Sequence, residues 1–382
     1  MSIIGTVSMG IKAPLIRKGD DIVKIVVDSV LNATKNMQYS TLEANVETTY
    51  DLNDKDIIGI TESVVARSQG NYITINEIAD DIKLKFGEHQ TIDVICPIYS
   101  RNRFAMILKG IARGCDKVRL LMPEIDEVGN VRRNHPFTKM NYDEYYAEIC
   151  VGENCEVEIY SAPTYLEHKN NLNLLFCQLH VNKQDAYKAI EPFINNSVCK
   201  NYSLKDLCSD RCEYGLLGSN KATEEKIKLF PRKKDMIING QLSLGSDNIV
   251  QKIKEKINEK TDRDVIVVIY GDGCFKDPSG IWEFADPVSL VSYTDSDIIE
   301  STPNEIKLKA YIDEFSGNKN ELDSYIKKSI ENIKCDLKGN MNAQGTTPRI
   351  YRDLIASLMD LTTGSGMKGT PLCLVKNYFN FY

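Results

Sequence analysis

Asp264-Val-Ile-Val-Val-Ile-Tyr270-Gly-Asp-Gly273 is the stretch on which the fold turns. From Val265 to Ile269 no polar residue interrupts the β-branched run. A strand with one wet face alternates apolar and polar side chains, because successive residues point to opposite faces. An unbroken run therefore predicts a strand buried on both faces, as in the interior of an α/β sheet. Asp272 follows it between two glycines. Ligands in open α/β sheets gather at the carboxyl ends of strands, so Asp272 is a candidate for holding magnesium or manganese, and through it phosphate. A plain Asp-Gly turn explains the same residues.

Outward from this strand, apolar periodicity marks further elements on both sides. Residues 3–10 and 56–60 read as strands, and residues 20–33 and 74–85 as helices. Ile22, Ile25, Val26, Val30 and Leu31 share one side of the first helix, and Asp20 and Asp21 suit its start. Residues 92–98, 117–122, 156–161 and 172–181 read as strands, with helices over 101–113 and 184–193. That alternation predicts a parallel sheet with right-handed crossovers. Helices over 248–259, 319–334 and 351–361 and a strand over 372–375 complete the chain. The expectation is an α/β protein in three stretches: 1–90, an inserted Rossmann-like α/β block over 91–210, and 211–382. Residues 126–135 read as a long polar loop, and the strand ends near residues 99–103 as a further candidate small-molecule site.

Composition narrows the function classes. The 382 residues are 42% hydrophobic and carry a net charge of −7. That is enough apolar material for real cores, and it lacks the basic surplus of a nucleic-acid binder. No apolar run approaches the ~18 residues of a membrane span. Residues 1–10 lack the basic start of a secretory signal, so a cytoplasmic protein is expected. The 11 cysteines, with Cys150/Cys155 and Cys208/Cys212 as the close pairs, lack zinc-knuckle spacing and read as reduced thiols.

Three glycine-bearing turns are candidates for anion binding. Gly364-Ser-Gly-Met-Lys-Gly-Thr370 lets backbone amides turn toward a phosphate, with Lys368 adding charge, though its spacing is not that of a P-loop. A flexible connection between helix and strand is the plain reading. Gly215-Leu-Leu-Gly-Ser-Asn-Lys221 either binds an anion or leads into a helix capped by Thr223. The histidines, His89, His135, His168 and His180, form no legible triad. Thr363-Gly-Ser-Gly366 follows a helix where a serine nucleophile would follow a strand.

Taken in order, these segments resemble the coenzyme factor-420 (deazaflavin) gamma-glutamyl ligase family, and most closely its longer clostridial type. The likeness rests on Ala13-Pro-Leu-Ile-Arg-Lys-Gly-Asp-Asp-Ile22, on 56–70, on Tyr214 to Glu225, on Gly271-Asp-Gly with Phe275-Lys-Asp-Pro278, and on 352–375. It implies a ligase-like α+β core carrying the inserted block. It implies that GTP or ATP, with Mg or Mn, phosphorylates a small-molecule carboxylate, and that an amino acid, glutamate in the type members, attacks the acyl phosphate. It implies a homodimer. Carried over by position, Pro14, Leu15 and Ile16 border the nucleotide and Arg67 contacts phosphate. Asn220 contacts nucleotide, Asp272 holds metal, and Thr363, Gly364, Ser365, Gly366, Met367 and Lys368 wrap the nucleotide. The sequence departs from the family pattern at four places. Leu217 stands where the family has a metal-binding aspartate, Gly273 where it has a hydroxyl residue, Ser365 where it has glutamine, and Glu62 near the nucleotide where it has a small polar residue. Glu213, Asp277 and Glu283 are the nearest acids that could replace the lost ligand. A non-catalytic nucleotide- or small-molecule-binding homologue is the alternative.

Overall fold

The computed structural model describes residues 5–36, 39–41, 44–48, 51–96, 99–100, 103–125, 139–177, 183–194, 198–271, 275–276, 282–283, 290–301, 312–313, 315–332, 350–363 and 369–379. The first sheet has five strands in the order Val7–Ile11, Leu372–Lys376, Ile57–Thr61, Ile266–Tyr270, Leu290–Tyr293. Ile266–Tyr270 runs parallel to Ile57–Thr61, with Val268 opposite Gly59, and antiparallel to Leu290–Tyr293. All five of its residues are buried.

The unbroken apolar run has a direct structural cause. Val265, Val267 and Ile269 face one core, shared with Ile249, Val250, Ile253 and Ile257 of the helix Ser246–Thr261. Ile266, Val268 and Tyr270 face a second core, shared with Ile355 and Met359 of the helix Tyr351–Thr363. The strand is sandwiched, so neither of its faces meets water. Gly59 makes the second contact possible, since a Cβ there would lie 2.2 Å from Met359 Sδ.

The second sheet is wholly parallel, in the order Val198–Ser203, Leu172–Phe176, Thr91–Ile95, Lys117–Leu121, Glu156–Tyr160. Its parallel pairing is what the strand–helix alternation predicts, and the edge strand Val198–Ser203 is the one that alternation did not mark. Phe104–Arg113 and Tyr142–Gly152 share a core with Ile92, Val94, Val118 and Leu120, and Lys183–Ile190 packs with Ile95, Leu172 and Leu174. Asp93, fully buried, bonds Arg119 of the neighbouring strand at 2.8 Å. Tyr142, Tyr146 and Cys150, four apart, form the buried stripe of Tyr142–Gly152, with Tyr145 and Ile149 packed beside it, a helix that sequence reading passed over. Ile75–Phe86 opens on a capping box between Thr74 and Glu77 and lies against Phe104–Arg113. Gly110 permits the approach: a Cβ there would lie 2.5 Å from Ile78 Cγ2.

One local reading is corrected. Thr223 does not cap a helix. Asn220–Thr223 pairs antiparallel with Lys226–Lys228, which pairs with Tyr72–Thr74. Ile227 is buried between half-exposed or exposed lysines, which is a strand's period of two. Glu224 and Glu225 form the connection, and the Glu225 carbonyl accepts the Ile75 amide at 3.1 Å. Residues 126–135, expected to be a long polar loop, lie outside the described residues. Among the described residues no helix is long and apolar enough to cross a membrane.

Candidate functional site

The strand Ile57–Thr61 and the helix Glu62–Gln69 follow one another without a linker, so Thr61, Val64 and Arg67 reach the carboxyl end of the first sheet together. Two backbone bonds join the other walls to this end. Thr61 N donates to Pro371 O at 3.0 Å, and Ala13 N donates to Gly369 O at 3.1 Å. Between them lies a cavity of about 350 Å³ lined by Ala13, Pro14, Leu15, Ile16, Thr61, Val64, Arg67, Tyr270, Asp360, Thr363, Gly369, Thr370 and Pro371. That volume lies within the range of small-molecule pockets.

Each wall brings a different chemistry. Pro14 and Leu15 are exposed, Leu15 at 76%, while Ile16 is anchored in the core at 2%. An apolar lip held by a buried neighbour suits one face of a flat ring. Arg67 is half-buried and supplies the cation, with no ion-pair partner among the described residues. Its planar fork suits phosphate or carboxylate oxygens. Asp360 supplies the opposing charge.

Tyr270 closes the strand and the cavity at once. Its hydroxyl bonds Thr363 Oγ1, which also donates to the Met359 carbonyl at 2.8 Å. Burial pushes the Tyr270 phenol well above its usual range, and the nearby Cys373, Glu62 and Asp360 push the same way. The phenol thus stays neutral. Glu62 itself is 3% exposed, accepts from Thr61 Oγ1 at 2.9 Å, and stands behind the cavity wall.

Of the residues singled out by sequence, the cavity collects Pro14, Leu15, Ile16, Arg67 and Thr363. Asn220 is not among its lining. It sits on the hairpin opposite Lys228, whose ammonium bonds Ser63 Oγ. Asp272, Gly364, Ser365, Gly366, Met367 and Lys368 lie outside the described residues, as do Asp277 and the side chain of Glu283. Sequence reading missed Tyr270 and Asp360. Tyr270 carries a legible signal, an aromatic polar tip ending a wholly apolar strand. Asp360 carries none beyond standing three residues before Thr363, on the same helix face.

Leu217 packs against the main hydrophobic core and offers no donor atom. Glu213 spends its carboxylate on the backbone amides of Lys233 and Lys234, at 3.1 and 3.3 Å. Among the described residues no group of three His, Cys, Asp or Glu is placed to hold a metal ion. The described donor set at this turn does not fit a metal.

The family described as F420-0:Gamma-glutamyl ligase matches residues 10–377. No curated protein matches the chain. A crystal structure assigned as an aspartate carbamoyltransferase from Leishmania major Friedlin is similar at 15% identity, over 37% of this chain and 52% of its own, with a TM-score of 0.19. The chain thus spans about half of that protein, and at such a score the likeness carries no argument.

Proposed function

Because the chain belongs to the gamma-glutamyl ligase family of coenzyme factor 420, we propose that it is a nucleotide-dependent ligase joining an amino acid to a small-molecule carboxylate through an acyl phosphate. The observation that carries the proposal is the cavity that gathers Pro14, Leu15, Ile16, Arg67 and Thr363 from three distant parts of the chain. In this reading the base of GTP or ATP lies along Pro14 and Leu15. Arg67 takes a phosphate oxygen, neutralising charge as it moves onto the leaving diphosphate. Tyr270 and Thr363 offer hydroxyls at the same rim. Magnesium or manganese enters with the nucleotide's phosphates. Asp272, next but one to Tyr270 in sequence, is the residue proposed to meet it. The proposed protein is a homodimer working in the cytoplasm.

Calorimetric titration with GTP and ATP, each with and without Mg or Mn, tests the nucleotide site. Binding by the wild type and at least about tenfold weakening in Arg67→Ala are expected, the size of a lost charge-assisted contact in a cavity. Absence of binding for both nucleotides would remove the reading.

One observation favours a second reading, a nucleotide-binding homologue without ligase chemistry: the apolar packing of Leu217. Nucleotide binding without phosphate release, across a panel of carboxylates and amino acids, would select it.

A further inference from the structure

A second cavity, of about 440 Å³, is lined in part by residues 18–23, which follow the lip segment of the first in sequence. The bond from Gly19 N to Ser68 O, at 2.9 Å, ties its loop to the helix Glu62–Gln69, and the two cavities share no lining residue. Its floor is apolar: Ile22 and Ile249 are 4% and 1% exposed and belong to the main core, and Leu244 packs against that core. Its rim is cationic. Lys252 and Lys256 stand four apart on the helix Ser246–Thr261, and so on one face. Lys18 faces them from the loop, its stem crossing Gly70 so closely that a Cβ there would lie 2.7 Å from Lys18 Cε.

Two carboxylates, Asp20 and Asp21, also line the cavity along with its three lysines, and each holds a backbone amide. Asp20 accepts the Arg17 amide at 2.7 Å, and Asp21 accepts the Lys24 amide at 3.0 Å. Asp28 pairs with Lys24 at 3.1 Å and Lys260 at 3.9 Å. Among the described residues neither Lys252 nor Lys256 has an ion pair, and like charges at this spacing repel. Behind the cavity wall lies a further cation. Arg232 is 4% exposed. It donates to Ser243 Oγ, a lining residue, at 2.7 Å and to Asn71 Oδ1 at 3.3 Å, while its Nε has no partner. No carboxylate among the described residues pairs with it. Glu213 acts on it only at a distance, without a direct ion pair, and the buried guanidinium adds positive potential to the space beside it.

We propose that this cavity binds a small organic anion with an apolar body, its acid group met by Lys18, Lys252 and Lys256 and its apolar part seated on Ile22, Leu244 and Ile249. The site is separate from the proposed nucleotide cavity and does not rest on that reading.

The probes are 2-naphthoate and its neutral analogue 2-naphthamide, titrated into the full chain by calorimetry. Naphthoate is expected to bind about tenfold more tightly than the amide, a difference that one or two charge-assisted contacts supply. That difference should vanish in the Lys252→Ala/Lys256→Ala double variant, whose exposed positions leave the fold intact. It should persist in Arg67→Ala, which touches only the other cavity. No naphthoate binding at millimolar concentration, equal binding of the two probes, or a preference that survives loss of both lysines overturns the proposal. A preference lost in Arg67→Ala assigns the probe to the first cavity and overturns it equally.

Discussion

Lys376 Nζ lies 2.9 Å from Asp56 Oδ2, an ion pair between residues 320 apart in sequence whose side chains are 7% and 1% exposed. Lys376 closes the last strand and Asp56 precedes the strand Ile57–Thr61. Asp56 also accepts the Asn53 amide at 2.8 Å and the Asn377 amide at 3.3 Å. The pair holds the end of the chain in the sheet that carries the first cavity.

Removing one partner leaves the other charge buried. Asp56→Ala is therefore expected to lower unfolding stability by about 3 kcal/mol or more, as for other half-broken buried pairs. Urea unfolding of the variant checks this, and a loss below about 1 kcal/mol would show that the pair contributes little.

Two glycines give opposite expectations for the same substitution. Gly110→Ala drives a methyl to 2.5 Å from Ile78 Cγ2 and should cost about 1–3 kcal/mol through overpacking. Gly152→Ala meets nothing within 4 Å at the end of the helix Tyr142–Gly152 and should be neutral or stabilise by up to about 1 kcal/mol. Thermal melts of the two variants decide, and similar melting temperatures would disprove the close helix contact.

Acid should loosen the joint between the hairpin Asn220–Lys228 and the helix Phe104–Arg113. Glu225 bonds Arg113 Nη1 at 2.7 Å and also pairs with Lys109, so hydrogen bonds from Arg113, then Lys109, lower its carboxyl from 4.5 to about 2. A depressed carboxyl stabilises the fold above its unfolded value and loses that contribution as pH falls through the folded value. The window runs from about 4.5 down to about 2. The Glu225 side chain is 54% exposed, so solvent screening limits the effect to about 0.5–1 kcal/mol. Glu225→Gln should lose that much at pH 7 and almost nothing at pH 2, compared by denaturant midpoints. Equal losses at both pH values would contradict the assignment.

Burial pushes the Cys150 thiol up to about 12, and Cys155 adds to the shift. At pH 8 it should carry almost no thiolate, which is the reactive form. Iodoacetamide followed by peptide mapping should leave Cys150 unmodified in the folded protein and alkylate it in guanidinium. Modification in both states at similar rates would refute the burial argument.

The run Val265 to Ile269 was readable as a doubly buried strand because its signal is local: no polar residue interrupts it, and only a sandwiched strand tolerates that. The parallel second sheet was readable for the same reason, from strands and helices at regular spacing. The hairpin over Asn220–Lys228 was not, because Thr223 before two glutamates is also a good helix start. Only pairing with Tyr72–Thr74, far away in sequence, decided for strand.

The candidate site divides in the same way. Pro14, Leu15, Ile16, Arg67 and Thr363 could be named from a family likeness in short segments, while Tyr270 and Asp360 could not. A cavity is set by which strand ends lie side by side. That order, with Leu372–Lys376 between Val7–Ile11 and Ile57–Thr61, follows from ladders and buried contacts across most of the chain. Periodicity determined which segments are strands and which faces they bury. The neighbours of each strand, and so the walls of both cavities, were decided by tertiary packing, because pairing between distant segments leaves no mark on local spacing.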